Sequence, residues 1–310
     1  MSVEDFLKAQ EQEAKKLPEH QREERLGRIK AMWESYRGQD QIITSHELAE
    51  MMDAEEPAHK VMSGQFSNLD TLVDGFRYEQ LVVITAQEKS GKTAFVLQLI
   101  EQMKPEEPCC FLFEQSPREL IRQMQEKQQE IPYFLTPMTN VDNRLSWIEE
   151  RALEAMVKRG TRIIVIDNMD WILKEYGYNQ RTDEVVKDIL LKLKDFCKTW
   201  GVIIFLVAHA KKMKMELIPQ PDDIKDSSAF KQIADIVLIL WRKTVSDKVD
   251  GTKTLAPKRT NQTLLWVAEN RRSGKTGYVQ LTYDKNRFIQ NTWDTSLAAE
   301  AEFDSYESEF

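Results

Sequence analysis

Residues 81–93 read LVVITAQEKSGKT. Strand-forming residues 81–85 run into Ala86, then the loop Gln87, Glu88, Lys89 and Ser90, then Gly91-Lys92-Thr93 and the helical run AFVLQLI. Strand, loop, GKT and helix in that order form a phosphate-binding P-loop. Loop N–H groups over Ala86, Glu88, Lys89, Ser90 and Gly91, together with the positive end of the next helix, are placed to wrap phosphate oxygens. Lys92 supplies a point charge for the β- and γ-phosphates, and the Thr93 hydroxyl is a ligand for Mg²⁺. The motif predicts binding of a nucleoside triphosphate. Glu88 is unusual, a carboxylate inside an anion-binding loop, with Lys89 beside it as an offsetting charge. The chain also holds a control: Gly274-Lys275-Thr276 is a second GKT, but Glu269 stands five positions before Gly274. It lies between the strand-like runs TLLWVAE and TGYVQLTYD, so it reads as a hairpin turn with no phosphate role.

Ligands of open α/β sheets sit at the carboxyl ends of strands, so polar residues that end apolar runs carry the next chemistry. RIIVID ends in Asp167, placed to hold Mg²⁺ through water. CCFLFE ends in Glu114, just before the helix cap Ser116-Pro117-Arg118-Glu119, where a carboxylate can polarise an attacking water. IIFLVAH ends in His209, a γ-phosphate contact or a structural histidine. Arg271 follows TLLWVAE, and taken alone it is a surface salt-bridge residue.

The elements that position these residues follow from the apolar pattern. Strand runs at 81–85, 109–113, 162–166, 202–207 and 236–241 alternate with helical patterns at 93–103, 117–129, 145–159 and 183–200. Mostly apolar strands separated by helices predict an α/β fold with a mostly parallel sheet covered on both faces. The runs 263–268, 277–283 and 287–290 have no helices between them and predict an antiparallel extension at the sheet edge. Upstream, TSHELAEMMD sets Thr44 and Glu47 at capping-box spacing before Leu48 and Met51, and Ser67-Asn68-Leu69-Asp70 opens a short helix that stops at Gly75. The expected organisation is a helical extension and linker helix over 1–60, an ATPase-type core over 61–293 and an acidic, disordered tail over 294–310.

The net charge of −8 is unevenly spread. Residues 1–60 carry −5 and 294–310 carry −6, which leaves +3 on the core, compatible with a local nucleic-acid surface. Cys109, Cys110 and Cys197 form no disulfide framework. With two of them inside an apolar strand, a reducing cytoplasm and a core role are expected. No apolar run approaches membrane-spanning length, and the N-terminus is too acidic for a targeting signal.

Six segments in register, TAQEKSGKTAF, FEQSPREL, VIDNMDWIL, VAHAKKM, DIKDSSAFKQIADIVLILWR and AENRRSGKTGYVQLTYDKNRF, resemble the DnaB/Twinkle group of superfamily 4 replicative helicases over roughly residues 44–290. The resemblance implies a RecA-type core that assembles as a homo-hexameric ring, hydrolyses ATP with Mg²⁺ and moves along single-stranded DNA. It implies Lys92 and Thr93 as the Walker A pair, Glu114 as the catalytic glutamate, Asp167 as the Walker B aspartate and His209 as the γ-phosphate sensor. Arg271 becomes the arginine finger that reaches a neighbour's ATP. The loop Lys225-Asp226-Ser227-Ser228 matches the channel-facing DNA loop, and the basic run Lys211, Lys212, Lys214 is either part of the DNA path or a solvated surface. The TSHELAEMM helix resembles a linker helix that docks on the adjacent subunit.

Three features depart from the pattern. Glu269 stands where a second trans-acting lysine is expected, Ser228 replaces a small glycine, and the charged stretch 1–37 stands where a collar or primase domain is expected. The tail AAEAEFDSYESEF combines acids with Phe303, Tyr306 and a terminal Phe310, which fits either recruitment of a replication partner or repulsion of DNA. RecA-type cores also serve recombinases and annealing mediators, and an ATP-switched assembly protein is a third class.

Overall fold

The structure is a computed structural model that describes residues 44–54, 60–87, 90–139, 142–176, 183–209, 227–245, 248–249, 253–254, 258–285 and 287–291, with Gln12 and Glu23. The chain divides into two compact units, Met1–Pro57 and Ala58–Phe310. In the first, helix α1 (Ser45–Ala54) starts as its capping box requires. The Thr44 N–H donates to Glu47 Oε2 at 2.7 Å, and the Glu47 N–H donates back to Thr44 Oγ1 at 3.2 Å.

The second unit is built on one eight-stranded sheet. In chain order its strands are β1 (Leu81–Ala86), β2 (Cys109–Leu112), β3 (Ile163–Asp167), β4 (Ile203–His209), β5 (Ile236–Val245), β6 (Lys258–Asn270), β7 (Gly277–Asp284) and β8 (Arg287–Gln290). Across the sheet the order is β2-β3-β4-β1-β5-β6-β7-β8. The strands from β2 to β5 are parallel and those from β5 to β8 antiparallel, as the loss of intervening helices after residue 241 predicts. The remaining helices are α2 (Ser67–Val73), α3 (Lys92–Glu101), α4 (Pro117–Glu126), α5 (Leu145–Arg159), α6 (Met169–Leu173), α7 (Asp183–Trp200) and α8 (Ser227–Ile233).

The period-two alternation of strand side chains sorts the core into two layers. Val82, Ile84, Val165, Phe205 and Leu238 face one side, against Phe95, Val96, Leu99 and Ile100 of α3. Leu81, Val83, Ile164, Leu206 and Val237 face the other, against α5, α7 and Phe230 of α8. All six residues of β1, Thr85 among them, are buried, so both faces of the strand lie in the core. Truncating one of them, such as Ile84→Ala, costs roughly 2–5 kcal/mol. Cys109 and Cys110 lie inside this core, as their apolar neighbours predict, and burial pushes the Cys109 thiol up to about 12. No helix among the described residues is long and apolar enough to cross a membrane.

Strand order creates the site. After β1 the chain crosses to the far edge at β2, returns through β3 to β4, then passes over β1 to β5. The carboxyl ends of β1, β3 and β4 therefore meet at the point where the winding reverses, where open α/β sheets bind ligands.

Candidate functional site

The loop after β1 turns into α3 at Gly91, whose φ of +90° suits glycine alone at low cost. A Cβ on Gly91 would lie 3.0 Å from Phe288 Cζ. No side chain caps the start of α3, so its first N–H groups remain directed at the loop. Lys92 is buried and folds back over the loop, with Nζ 3.3 Å from the Gln87 carbonyl, 3.4 Å from that of Ala86 and 3.0 Å from His209 Nδ1. Ser90 is buried and its N–H donates to the Gln87 carbonyl at 3.3 Å.

Beside it, the Thr93 hydroxyl donates to Asp167 Oδ2 at 2.5 Å. Asp167 is 2% exposed, and its Oδ1 has no hydrogen-bond partner. Burial pushes this carboxyl above its ordinary range against the opposing pull of Thr93, while the Glu114 charge pushes the same way as burial. A buried carboxylate with an orphaned oxygen, next to a threonine hydroxyl, is a donor set that fits a hard divalent cation such as Mg²⁺.

Glu114 leaves the end of β2 and reaches a cavity of about 330 Å³ that Thr93, Glu119 and Asp167 also line. Its helix cap forms as the sequence predicts, with the Glu119 N–H donating to Ser116 Oγ at 3.2 Å and Pro117 in the first turn of α4. His209 ends β4 with Nε2 3.7 Å from Glu114 Oε2 and 3.8 Å from Asp170 Oδ2. Between them stands Asn168, which the motif reading passed over. Its Nδ2 lies 3.0 Å from Glu114 Oε2 and 2.9 Å from His209 Nε2, and its Oδ1 accepts the Asp170 N–H at 3.0 Å as the N-cap of α6. The signal for it was present: an asparagine directly after a strand-ending acid is a favoured N-cap.

Ala86, Ser90, Gly91, Lys92, Thr93, Glu114, Asp167 and His209 thus converge on one end of the sheet. Arg271 does not. Asn270 pairs with Ile236 at the start of β5, level with the start of β1, so Arg271 sits at the opposite sheet end from the P-loop. Its guanidinium donates to the carbonyls of Lys231 and Gln232 in α8. Ser227 and Ser228, expected in a loop, form the first turn of α8. Glu88, Lys89, Lys211, Lys212, Lys214, Lys225 and the tail ending in Phe310 lie outside the described residues. Gly274 lies in the turn between antiparallel β6 and β7, as the hairpin reading requires.

Comparison with known proteins gives a consistent picture. The family profile "DnaB-like helicase C terminal domain" matches residues 61–146 and 136–290. The replicative DNA helicase DnaB of Geobacillus stearothermophilus is 22% identical over 284 residues, which cover 81% of this chain and 61% of that protein. The replicative DNA helicase DnaC of Bacillus subtilis is 22% identical over 258 residues, covering 72% of this chain and 55% of that protein. The chain therefore spans somewhat over half the length of these relatives. Among solved structures, an isolated ATPase domain superposes with a TM-score of 0.64 at 19% identity, covering 82% of this chain and all of that one. A DnaB-like replicative helicase, described with its interactions with primase, gives 0.60 at 17% identity, covering 92% of this chain and 75% of that one. These likenesses establish the fold.

Proposed function

This chain belongs to the DnaB-like helicase C-terminal domain family, and from that premise we propose that it is a ring-forming, ATP-hydrolysing motor that moves along single-stranded DNA in replication. The observation that carries the proposal is the convergence of Lys92, Thr93, Glu114, Asp167 and His209 on one end of the sheet, with a donor geometry suited to a triphosphate. Lys92 leaves His209 and the loop carbonyls to neutralise the β- and γ-phosphates. The N–H groups at the start of α3 hold the same phosphates. Thr93 would hold Mg²⁺ directly and Asp167 would hold it through water, the ion supplying charge neutralisation between the phosphates. Glu114 accepts the proton of the attacking water, and His209 touches the γ-phosphate. The cavity of about 430 Å³ that runs from Thr93 between α3 and α4 toward Tyr283 takes the rest of the nucleotide.

Arg271 serves the ATP of the neighbouring copy in a six-membered ring, and Lys211, Lys212, Lys214, Lys225 and the Ser227 turn contact the DNA backbone. Glu269 occupies the position of the expected second trans cation, which leaves Arg271, with Arg272 beside it, to supply positive charge across the interface. The acidic tail 294–310 recruits a replication partner through Phe310. Deleting Phe310 alone should abolish that capture, and capture that survives this deletion would leave only an electrostatic role.

The deciding experiment measures ATP turnover with single-stranded DNA and strand separation on a forked duplex. Lys92→Ala should lose nucleotide binding or turnover, whereas Glu114→Gln should bind ATP and not hydrolyse it, because Lys92 acts in ground and transition states and Glu114 only on the water. Normal hydrolysis by Glu114→Gln would overturn the role assignment, and hydrolysis without strand separation would return the chain to a recombinase or annealing class.

A further inference from the structure

The side-chain amide of Asn168 has one orientation. Its Oδ1 accepts from the backbone N–H of Asp170, a group that can only donate, so the amino end faces the other way. There Nδ2 lies between Glu114 Oε2 at 3.0 Å and His209 Nε2 at 2.9 Å, one amino hydrogen for each acceptor. For Nε2 to accept, the neutral imidazole must carry its proton on Nδ1. Yet Nδ1 faces Lys92 Nζ at 3.0 Å, and an ammonium group also only donates. The two contacts require opposite tautomers. A doubly protonated ring would set N–H against a donor on both sides. When Lys92 holds Nδ1, the proton sits on Nε2 and points toward the Glu114 and Asp170 carboxylates, 3.7 and 3.8 Å away, and the Asn168 bond is lost.

We propose that Asn168 is a positioning residue that selects the Nδ1–H tautomer of His209 once Lys92 has moved to a bound triphosphate, and that the same amide ties Glu114 to His209. The inference rests on the reading that Lys92 serves a nucleotide. It gives Lys92 and Asn168 competing claims on one ring. With Lys92 withdrawn, Asn168 prevails, and His209 presents an N–H donor on the side where Lys92 stood, which is the phosphate side. Glu114, at the exit of β2, and His209, at the end of β4, then share one amide and move as a unit. Asn168 itself is 1% exposed and fixed as the α6 N-cap, so it is rigid enough to impose this choice.

Nitrogen NMR of the full chain labelled at histidine reads the tautomer directly. The chain has four histidines, and the signals of His209 are those lost in His209→Gln. Saturation with Mg²⁺ and a non-hydrolysable ATP analogue, verified by calorimetry, should convert His209 to the Nδ1–H form. Asn168→Asp keeps the oxygen that caps α6 but sets an acceptor against Nε2, so the analogue-bound ring should revert to Nε2–H. Asn168→Ser keeps a capping hydroxyl and is too short to reach the ring, so it should give mixed tautomers. Both variants should lose about 10–100-fold in kcat, with KM for ATP changing far less. Wild-type His209 that remains Nε2–H with the analogue bound overturns the inference, whether or not the variants fold. A tautomer indifferent to Asn168→Asp does the same. An analogue that fails to bind the wild-type chain overturns the nucleotide reading itself, and this inference with it.

Discussion

Arg271→Ala separates two roles by magnitude. In one chain the Arg271 side chain bonds the carbonyls of Lys231 and Gln232 from an exposed position. Exposed hydrogen bonds are replaced by water on truncation, so the loss of folding stability should be about 1 kcal/mol or less. The same residue is level with the start of β1, and the P-loop follows the other end. The run Leu81–Ala86 separates the two ends by about 16 Å at the rise of an extended strand. Arg271 therefore has no direct reach to the phosphates held by its own Lys92, and on the proposed reading its effect on hydrolysis passes through a second copy. An arginine supplied across an interface contributes roughly 10³–10⁵ in rate, or about 4–7 kcal/mol of barrier. The two effects differ so widely that one variant decides between them. Turnover should collapse by about a thousandfold or more while the melting midpoint shifts by only a few degrees. Mixing Arg271→Ala with Glu114→Gln should restore activity, since roughly a quarter of randomly formed head-to-tail interfaces then pair an intact Glu114 with an intact Arg271. Wild-type turnover in Arg271→Ala, or no recovery in mixed assemblies of verified size, refutes the trans role.

Two further changes test the frame around the site. Gly91→Ala must hold an L-residue at φ +90° with its Cβ against the buried Phe288 ring. It should cost about 1–2 kcal/mol from backbone strain alone and impair nucleotide binding, read by denaturant midpoint and calorimetry; unchanged values in both would refute the close approach. Asp74 accepts from Lys60 and from Arg77, each at 2.7 Å, and these bonds hold its carboxyl down at about 2. Because that lies below the unfolded value of about 4, its stabilising contribution is complete above that pH and is lost as pH falls toward 2. Asp74→Asn should thus flatten the acid-unfolding profile in that window and leave it unchanged below it.

The sheet was legible in the sequence because each central strand is buried on both faces and so appears as an unbroken apolar run. The P-loop was legible because its chemistry is contiguous. Element ends were less so. The α4 pattern extends to residue 129, but the helix stops at Glu126, where Gln128 takes a φ of +53° that no glycine announces. Helix α6 has five residues, too few to show a period. Asn168 escaped for a different reason: its partners Glu114 and His209 come from two other strand ends, and no spacing in the chain records that convergence. The position of Arg271 was half visible. Its place after a strand could be read, but which end of the sheet it occupies depends on β6 running antiparallel to β5.

That antiparallel turn has a consequence for assembly. One end of the sheet gathers Lys92, Thr93, Glu114, Asp167, Asn168 and His209; the other carries Arg271. On the proposed reading these are two halves of one hydrolytic centre, and a single rigid sheet holds them too far apart to meet. They can join only if the Arg271 end of one copy faces the P-loop end of the next. Such a contact uses two different surfaces and is therefore heterologous, and a heterologous contact closes into a ring or extends into a helix but cannot make a closed two-fold dimer. On that reading the polarity of the sheet calls for a head-to-tail arrangement, and the number of copies is left to the angle at the interface.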